Sequence, residues 1–246
     1  MSSNLCISNI FKTSTQRHKL TIALAIFFIL SISKQSISIE TDLSRADISA
    51  TTLKAKHGEL NSQLLKNQFK RELYLISSES KQDLQGEIYA VVDYPFTSLS
   101  KALNNPDNWC DALILHVNIK YCHASGNKPD KTLKVNIGKK NEQPLSQTFG
   151  VKFNYHQVVE TPAYFAVELK AANGPMSTHD YLIWVEAIPI KNGRTFLHFT
   201  YAYSFGFAGR VAMQAYLSTG GLNKVGFTSN GLLSNGQPAY IKGLRA

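Results

Sequence analysis

Cysteine is scarce in this chain. Its 246 residues include three, Cys6, Cys110 and Cys122, and no Cys-x-x-Cys pair. The seven histidines contain no His-Glu-x-x-His. There is also no Gly-x-Ser-x-Gly and no glycine loop ending in Lys-Ser/Thr. These absences remove the recognisable zinc-peptidase, serine-hydrolase and P-loop chemistries. Charge is thin at 17%, and the lysines are scattered with no run of five. A nucleic-acid surface usually clusters its charge, so nucleic acid is not expected as a partner. No apolar run reaches the length of a membrane span. "LTIALAIFFILSI", Leu20 to Ile32, is 13 residues, about 20 Å of helix against a hydrocarbon core of roughly 30 Å.

What is present begins with that run. Lys12, Arg17 and Lys19 precede it, and no acid occurs before residue 39. Basic residues before a short apolar core read as an export signal over residues 1–38. "SIS" at 31–33 and 36–38 supplies small residues for cleavage, without a clean Ala-x-Ala. The expected location is periplasmic or secreted; an uncleaved signal would instead anchor the chain in the inner membrane. Without the signal the chain holds 22 basic and 17 acidic residues. That surplus fits weak attraction to anionic lipid headgroups.

At 43% hydrophobic the remainder suffices for one sizeable core. Residues 39–70 read as a helical extension. Leu53, Leu60, Leu64 and Leu65 predict a helix over about 48–67, weakened by Gly58. This helix packs across the domain or docks a partner protein. "RELYLISS" and "LQGEIYAVVDY" read as strands around a polar turn. "PFTSLSKALNN" reads as a helix entered through Pro95 and stopped before Pro106. From about residue 116 most segments alternate. "KTLKVNI", "FGVKFNYHQV", "AYFAVELK", "DYLIWVEAIPI" and "RTFLHFTYAYSF" predict an antiparallel meander. "GFAGRVAMQAYLS" then reads as helical, and the rest, rich in Gly, Asn and Ser, shows little periodicity. The order predicts an α+β domain over 71–246. Its elements are one curved antiparallel sheet, helices on the concave side, a C-terminal helix and the extra N-terminal helix.

"GEIYAVVDYPFTSLSKALNNPDNWC", the strands after it and "YAYSFGFAGRVAMQAYL" together resemble the START-like, or polyketide-cyclase-like, helix-grip superfamily. Within it, they resemble an uncharacterised group of exported bacterial proteins. Asp93 to Phe96, Asn108 to Cys110, Lys120 to Cys122 and Tyr201 to Tyr203 carry the likeness, over roughly residues 50–240. The resemblance implies a sheet gripping a long C-terminal helix around an apolar cavity. It implies an apolar small molecule or lipid as partner, with enzymes a minority. No catalytic residue carries over. A long final helix is expected beyond "GQPAYIKGLRA", and the sequence stops at Ala246 without it.

Candidate residues follow. Phe153, Tyr155, Phe199, Tyr201 and Tyr203 form an aromatic stripe that could line a pocket, since buried phenols need partners for their hydroxyls. Trp109 and His116 could stand at its wall, and Arg210 could meet an anionic headgroup. No metal set and no cofactor is expected: Cys110, His116, Cys122 and His123 match no structural zinc spacing. One alternative is a cyclase- or hydrolase-type enzyme using His116 with Asp111 as acid or base; a partner-binding module is another. For Cys110 and Cys122, a continuous strand over 111–121 would hold the sulfurs about 40 Å apart. A short helix capped by Asp107 and starting at Asn108, followed by a returning strand, would let them meet. Export favours that disulfide.

Overall fold

The computed structural model describes residues 45–126, 131–219 and 225–242, without the side chains of Val225, Phe227 and Asn230. The chain divides into two units, Met1–Ala46 and Asp47–Ala246. All that follows concerns the second; the export signal expected over 1–38 lies outside the described residues.

Alternation dictates the sheet. In β4 (Lys131–Ile137), Leu133 and Val135 are buried and Lys134 is exposed. In β5 (Phe149–Glu160), Val151, Phe153 and Tyr155 are buried, with polar residues between them. The period of two sends one set of side chains to each face. With β1 (Leu73–Glu79), β2 (Asp83–Val92), β3 (Ile119–Ser125), β6 (Phe165–Asn173), β7 (Thr178–Pro189) and β8 (Thr195–Phe205), these strands form one antiparallel sheet. Its order is β1-β2-β8-β7-β6-β5-β4-β3. β3 to β8 are a plain meander, and the β1–β2 hairpin joins at β8. Register shifts in β5 and β7 mark bulges, which bend a sheet. The bending is strong enough that the two edge strands, β1 and β3, wall the same cavity. The fold is α+β, a curved eight-stranded antiparallel sheet with a C-terminal helix, α5 (Phe207–Leu217).

Two short helices cover part of the concave face. They are α3 (Phe96–Leu103) and α4 (Pro106–Leu113). Phe96 and Trp109 enter a core with Leu133, Val151, Phe153 and Leu169. Asn105, not Asp107, caps α4: its side chain accepts from the Asp107 N–H, and Pro106 takes the first helical position. A proline there gives up a donor that would lack an intrahelical partner anyway. The helix therefore starts two residues before Asn108.

Three further expectations are corrected. Residues 47–59 are helical (α1), but the helix breaks at Leu60 and resumes as α2 (Asn61–Leu65), so 48–67 is not continuous. Leu53, Leu60 and Leu64 are buried, whereas Leu65 is exposed. The tail is not irregular: β9 (Val225–Leu232) and β10 (Pro238–Lys242) pair as a bulged hairpin. Nor do all helices lie on the concave side. His57 of α1 packs on Phe196 at 4.7 Å, and Phe196 faces away from Phe199 and Tyr201 on the same strand, so α1 crosses the convex face.

Beneath α1 lies a polar layer. His198 Nδ1 is 2.7 Å from Glu186 Oε1, and His198 Nε2 is 3.4 Å from Glu87 Oε2. Tyr89 donates to Glu87 at 2.7 Å, Gln85 donates to Glu87 at 2.6 Å, and Tyr164 donates to Glu186. The Tyr89 ring stacks on His198 at 4.2 Å. Burial alone would push the Glu87 carboxyl up. The bonds from Tyr89 and Gln85 and the neighbouring His198 outweigh burial and hold it below its ordinary value.

Candidate functional site: a cavity on the concave face

Where α3 and α4 stop, the concave face stays open and encloses a cavity of about 870 Å³. Its walls are mainly apolar. Leu75 and Ile88 contribute from β1 and β2, Val135 and Ile137 from β4, Phe153 and Ile183 from the middle of the sheet. Met213 of α5 closes part of one side.

One wall is phenolic. Tyr181 stacks on Tyr203 at 5.3 Å, Tyr201 lies 6.1 Å from Tyr181, and Phe153 meets Tyr181 edge-on at 6.3 Å. Strand parity explains the grouping: 201 and 203 share the inward face of β8, and Tyr201 sits opposite Ile183 of β7. Thr178 Oγ1 donates to Pro175 O at 2.5 Å, and Tyr181 Oη donates to Thr178 Oγ1 at 2.5 Å, locking that ring. Gly174 lies against the ring; a Cβ there would fall 2.6 Å from Tyr181 Cζ and Oη. The hydroxyls of Tyr201 and Tyr203 have no hydrogen-bond partner among the described residues. Burial pushes both phenols up, with the neighbouring phenols adding to it, so both stay protonated donors at neutral pH. Tyr201 still exposes 38% of its surface, and what reaches it is the cavity.

The facing wall is set by the disulfide. Cys110 of α4 and Cys122 of β3 are bonded, with Cα atoms 5.2 Å apart. The turn between them runs 114–118. It is held by Gly138 N donating to Asn118 O at 2.7 Å and Asn118 Nδ2 donating to Gly138 O at 2.8 Å. His116 and Asn118 turn toward the cavity. His116 Nδ1 accepts from the Asn118 N–H at 3.3 Å, which leaves Nε2–H, in the neutral ring, as a donor. Both sulfurs are consumed, so neither serves as nucleophile or metal ligand. Among the described residues no group of three His, Cys, Asp or Glu is placed to hold a metal ion.

His116, Phe153, Phe199, Tyr201 and Tyr203 line the cavity; Trp109, Tyr155 and Arg210 do not. Trp109 Nε1 donates to Leu103 O at 2.7 Å and Tyr155 Oη donates to the same carbonyl at 3.0 Å. The last carbonyls of α3 lack intrahelical donors, and these two buried side chains supply them. Arg210 reaches Glu79 at 3.4 Å and Ser80 O at 3.1 Å, and its guanidinium lies 5.6 Å from the Phe205 ring centroid. It ties α5 to the β1–β2 turn. The sequence reading missed Tyr181, Thr178, Asn118 and the two methionines, Met176 and Met213. Tyr181 did carry a signal, because it shares parity with Ile183 and Val185.

No protein-family model and no curated protein matches the chain. Solved structures do. Norcoclaurine synthase from Thalictrum flavum is 12% identical over 61% of this chain and 80% of its own, with a TM-score of 0.38. Ara h 8.0201 is also 12% identical, over 61% of this chain and 92% of its own, with a TM-score of 0.37. No helix among the described residues is long and apolar enough to cross a membrane.

Proposed function

We propose that the protein is an exported binding protein, a carrier or sensor, for an apolar small molecule or lipid. The supporting observation is the cavity itself: about 870 Å³, apolar on most sides, with the hydroxyls of Tyr201 and Tyr203 on its wall and unpartnered among the described residues. Burying ligand surface drives binding, at about 25 cal/mol per Å² before the entropy of association. Tyr201 and Tyr203 donate to a polar end group, and His116 and Asn118 offer the same across the cavity. The disulfide and the cleavable-signal pattern support export. The enzyme reading lacks a second group, because His116 hydrogen-bonds to backbone and no carboxylate orients it among the described residues.

Two measurements test the reading. Organic extraction of protein purified from its exporting host is expected to release an apolar compound. N-phenyl-1-naphthylamine is expected to bind the emptied protein at one saturable site, and Phe199→Trp, which fills the cavity, to weaken it. A folded protein that yields no apolar compound and gives no saturable signal refutes the proposal.

A further inference from the structure

The strand register gathers six strand ends at one rim. Ile119 opens β3 opposite Ile137, which closes β4, and Ile137 faces Phe149, which opens β5. β6 ends at Asn173, and Thr178 at the start of β7 faces Phe205 at the end of β8. The cavity reaches this rim, where His116, Asn118, Ile119, Pro175, Met176 and Thr178 all line it.

This rim holds large apolar side chains in water. Ile114, Leu115, Val117, Phe149, Met176 and Phe207 are all exposed, Leu115 at 85% and Phe207 at 84%. The tip that carries three of them is not loose. The disulfide spans it, Gly138 and Asn118 bond it twice, and Lys120 Nζ donates to Val117 O at 2.9 Å. The same turn holds 116 and 118 at the cavity and leaves 114, 115 and 117 exposed. Lys120, second residue of β3, bonds to this turn, and Lys139 and Lys140 directly follow Gly138. None of the three forms an ion pair among the described residues. Segments 114–120 and 138–142 together carry these three lysines against one acid, Glu142.

We infer that this rim is a docking surface for an anionic lipid bilayer, with the 114–117 tip entering the interface and Lys120, Lys139 and Lys140 meeting headgroups. Apolar side chains beside lysines match a surface that is apolar below and negative above. Docking in this pose faces the cavity mouth to the acyl region, so an apolar ligand enters without crossing water. That last point rests on the cavity reading; the contact itself does not.

The test places a fluorophore at the tip. Full-length protein carrying Leu115→Trp is mixed with vesicles of phosphatidylcholine and phosphatidylglycerol containing brominated acyl chains. Lys191→Trp, in the β7–β8 turn at the other end of the sheet, is the control. The expected result is strong quenching for Leu115→Trp and little for Lys191→Trp. Each variant is read against the unsubstituted protein, whose Trp109 and Trp184 set the background, so the added quenching reports depth at the introduced site. Replacing Lys120, Lys139 and Lys140 by Glu is expected to weaken quenching-detected binding by about a hundredfold or more, from roughly fivefold per lysine. Quenching that is absent at 115, or equal at 115 and 191, overturns the inference. Equal binding to phosphatidylcholine alone overturns the role given to the lysines. N-phenyl-1-naphthylamine binding measured without vesicles separates failure of the rim from failure of the cavity reading.

Discussion

Gly174→Ala is the sharpest single perturbation of the phenolic wall. The added methyl would fall 2.6 Å from Tyr181 Cζ and Oη, where carbon atoms prefer about 3.5–4.0 Å. A gap of about 1 Å must open. Tyr181 is only 6% exposed, its hydroxyl is held by Thr178 at 2.5 Å, and Tyr203 stacks on it at 5.3 Å. The backbone at 174 is also held, since its N–H donates to Thr178 O at 2.8 Å. The ring's free direction is into the cavity. Overpacking of this kind costs about 1–3 kcal/mol, or roughly 2–12 °C in Tm at about 2–4 °C per kcal/mol for a domain this size. Ligand space is lost as well. Urea unfolding measures the cost, and N-phenyl-1-naphthylamine titration measures the cavity. The decisive comparison is a cycle with Tyr181→Leu, which removes the ring. Gly174→Ala should cost most of its energy in the native background and little beside Tyr181→Leu. Equal costs in both backgrounds would refute the argument, because the methyl would then be clashing with something else.

Four further outcomes are expected. Cys110→Ser should lower stability to urea by about 3 kcal/mol through release of the twelve-residue loop; an unchanged midpoint on reduction would contradict this. Tyr201→Phe should leave stability within about 0.5 kcal/mol yet weaken a fluorescent fatty acid several-fold, whereas Tyr155→Phe should cost about 1 kcal/mol by removing a donor to Leu103 O. Burial, with Glu160 nearby, pushes the Tyr155 phenol from 10.0 up to about 12. Its raised value favours the neutral form in the fold, so that stability is present below pH 10 and is lost as pH rises toward about 12; Tyr155→Phe should flatten this part of the urea-midpoint profile. Glu87 is held below its ordinary 4.5, so its share of stability is present above that value and disappears on further acidification, and Glu87→Gln should remove that part of the acid limb.

Much of the sheet was legible because its physics is local. Leu133 and Val135 against Lys134, or Phe199 and Tyr201 against His198 and Thr200, announce two faces by alternation alone. The β9–β10 hairpin was not legible. It shifts register twice, and it includes Gly231 at φ +94°, so it offers no steady period. The site was half legible. Parity placed Phe153, Phe199, Tyr201 and Tyr203 on inner faces, but no local signal separates a tyrosine whose hydroxyl meets Leu103 O from one whose hydroxyl meets a cavity. That distinction depends on where α3 ends relative to β5, a relation between segments some fifty residues apart. Tyr181 depends on a neighbour's missing Cβ at Gly174, and Arg210 on the turn it happens to reach across the fold.

The strand order also fixes when the molecule can be finished. Strands β3 to β8 each pair with the next strand in sequence. β2 has no partner beyond its own hairpin until β8 exists, and Asp83 and Ser204 are 121 residues apart in sequence. Loop closure over that span carries the largest entropic cost in the sheet, and non-local pairing of this kind slows folding. As the chain emerges from its N-terminus, the first strands made are therefore among the last to be sheltered. Until then the open edges of β2 and β8 are exposed to pairing with other chains. Hydrogen exchange during refolding should protect β5–β7 before β1, with the seam between β2 and β8 as the step that completes the native state.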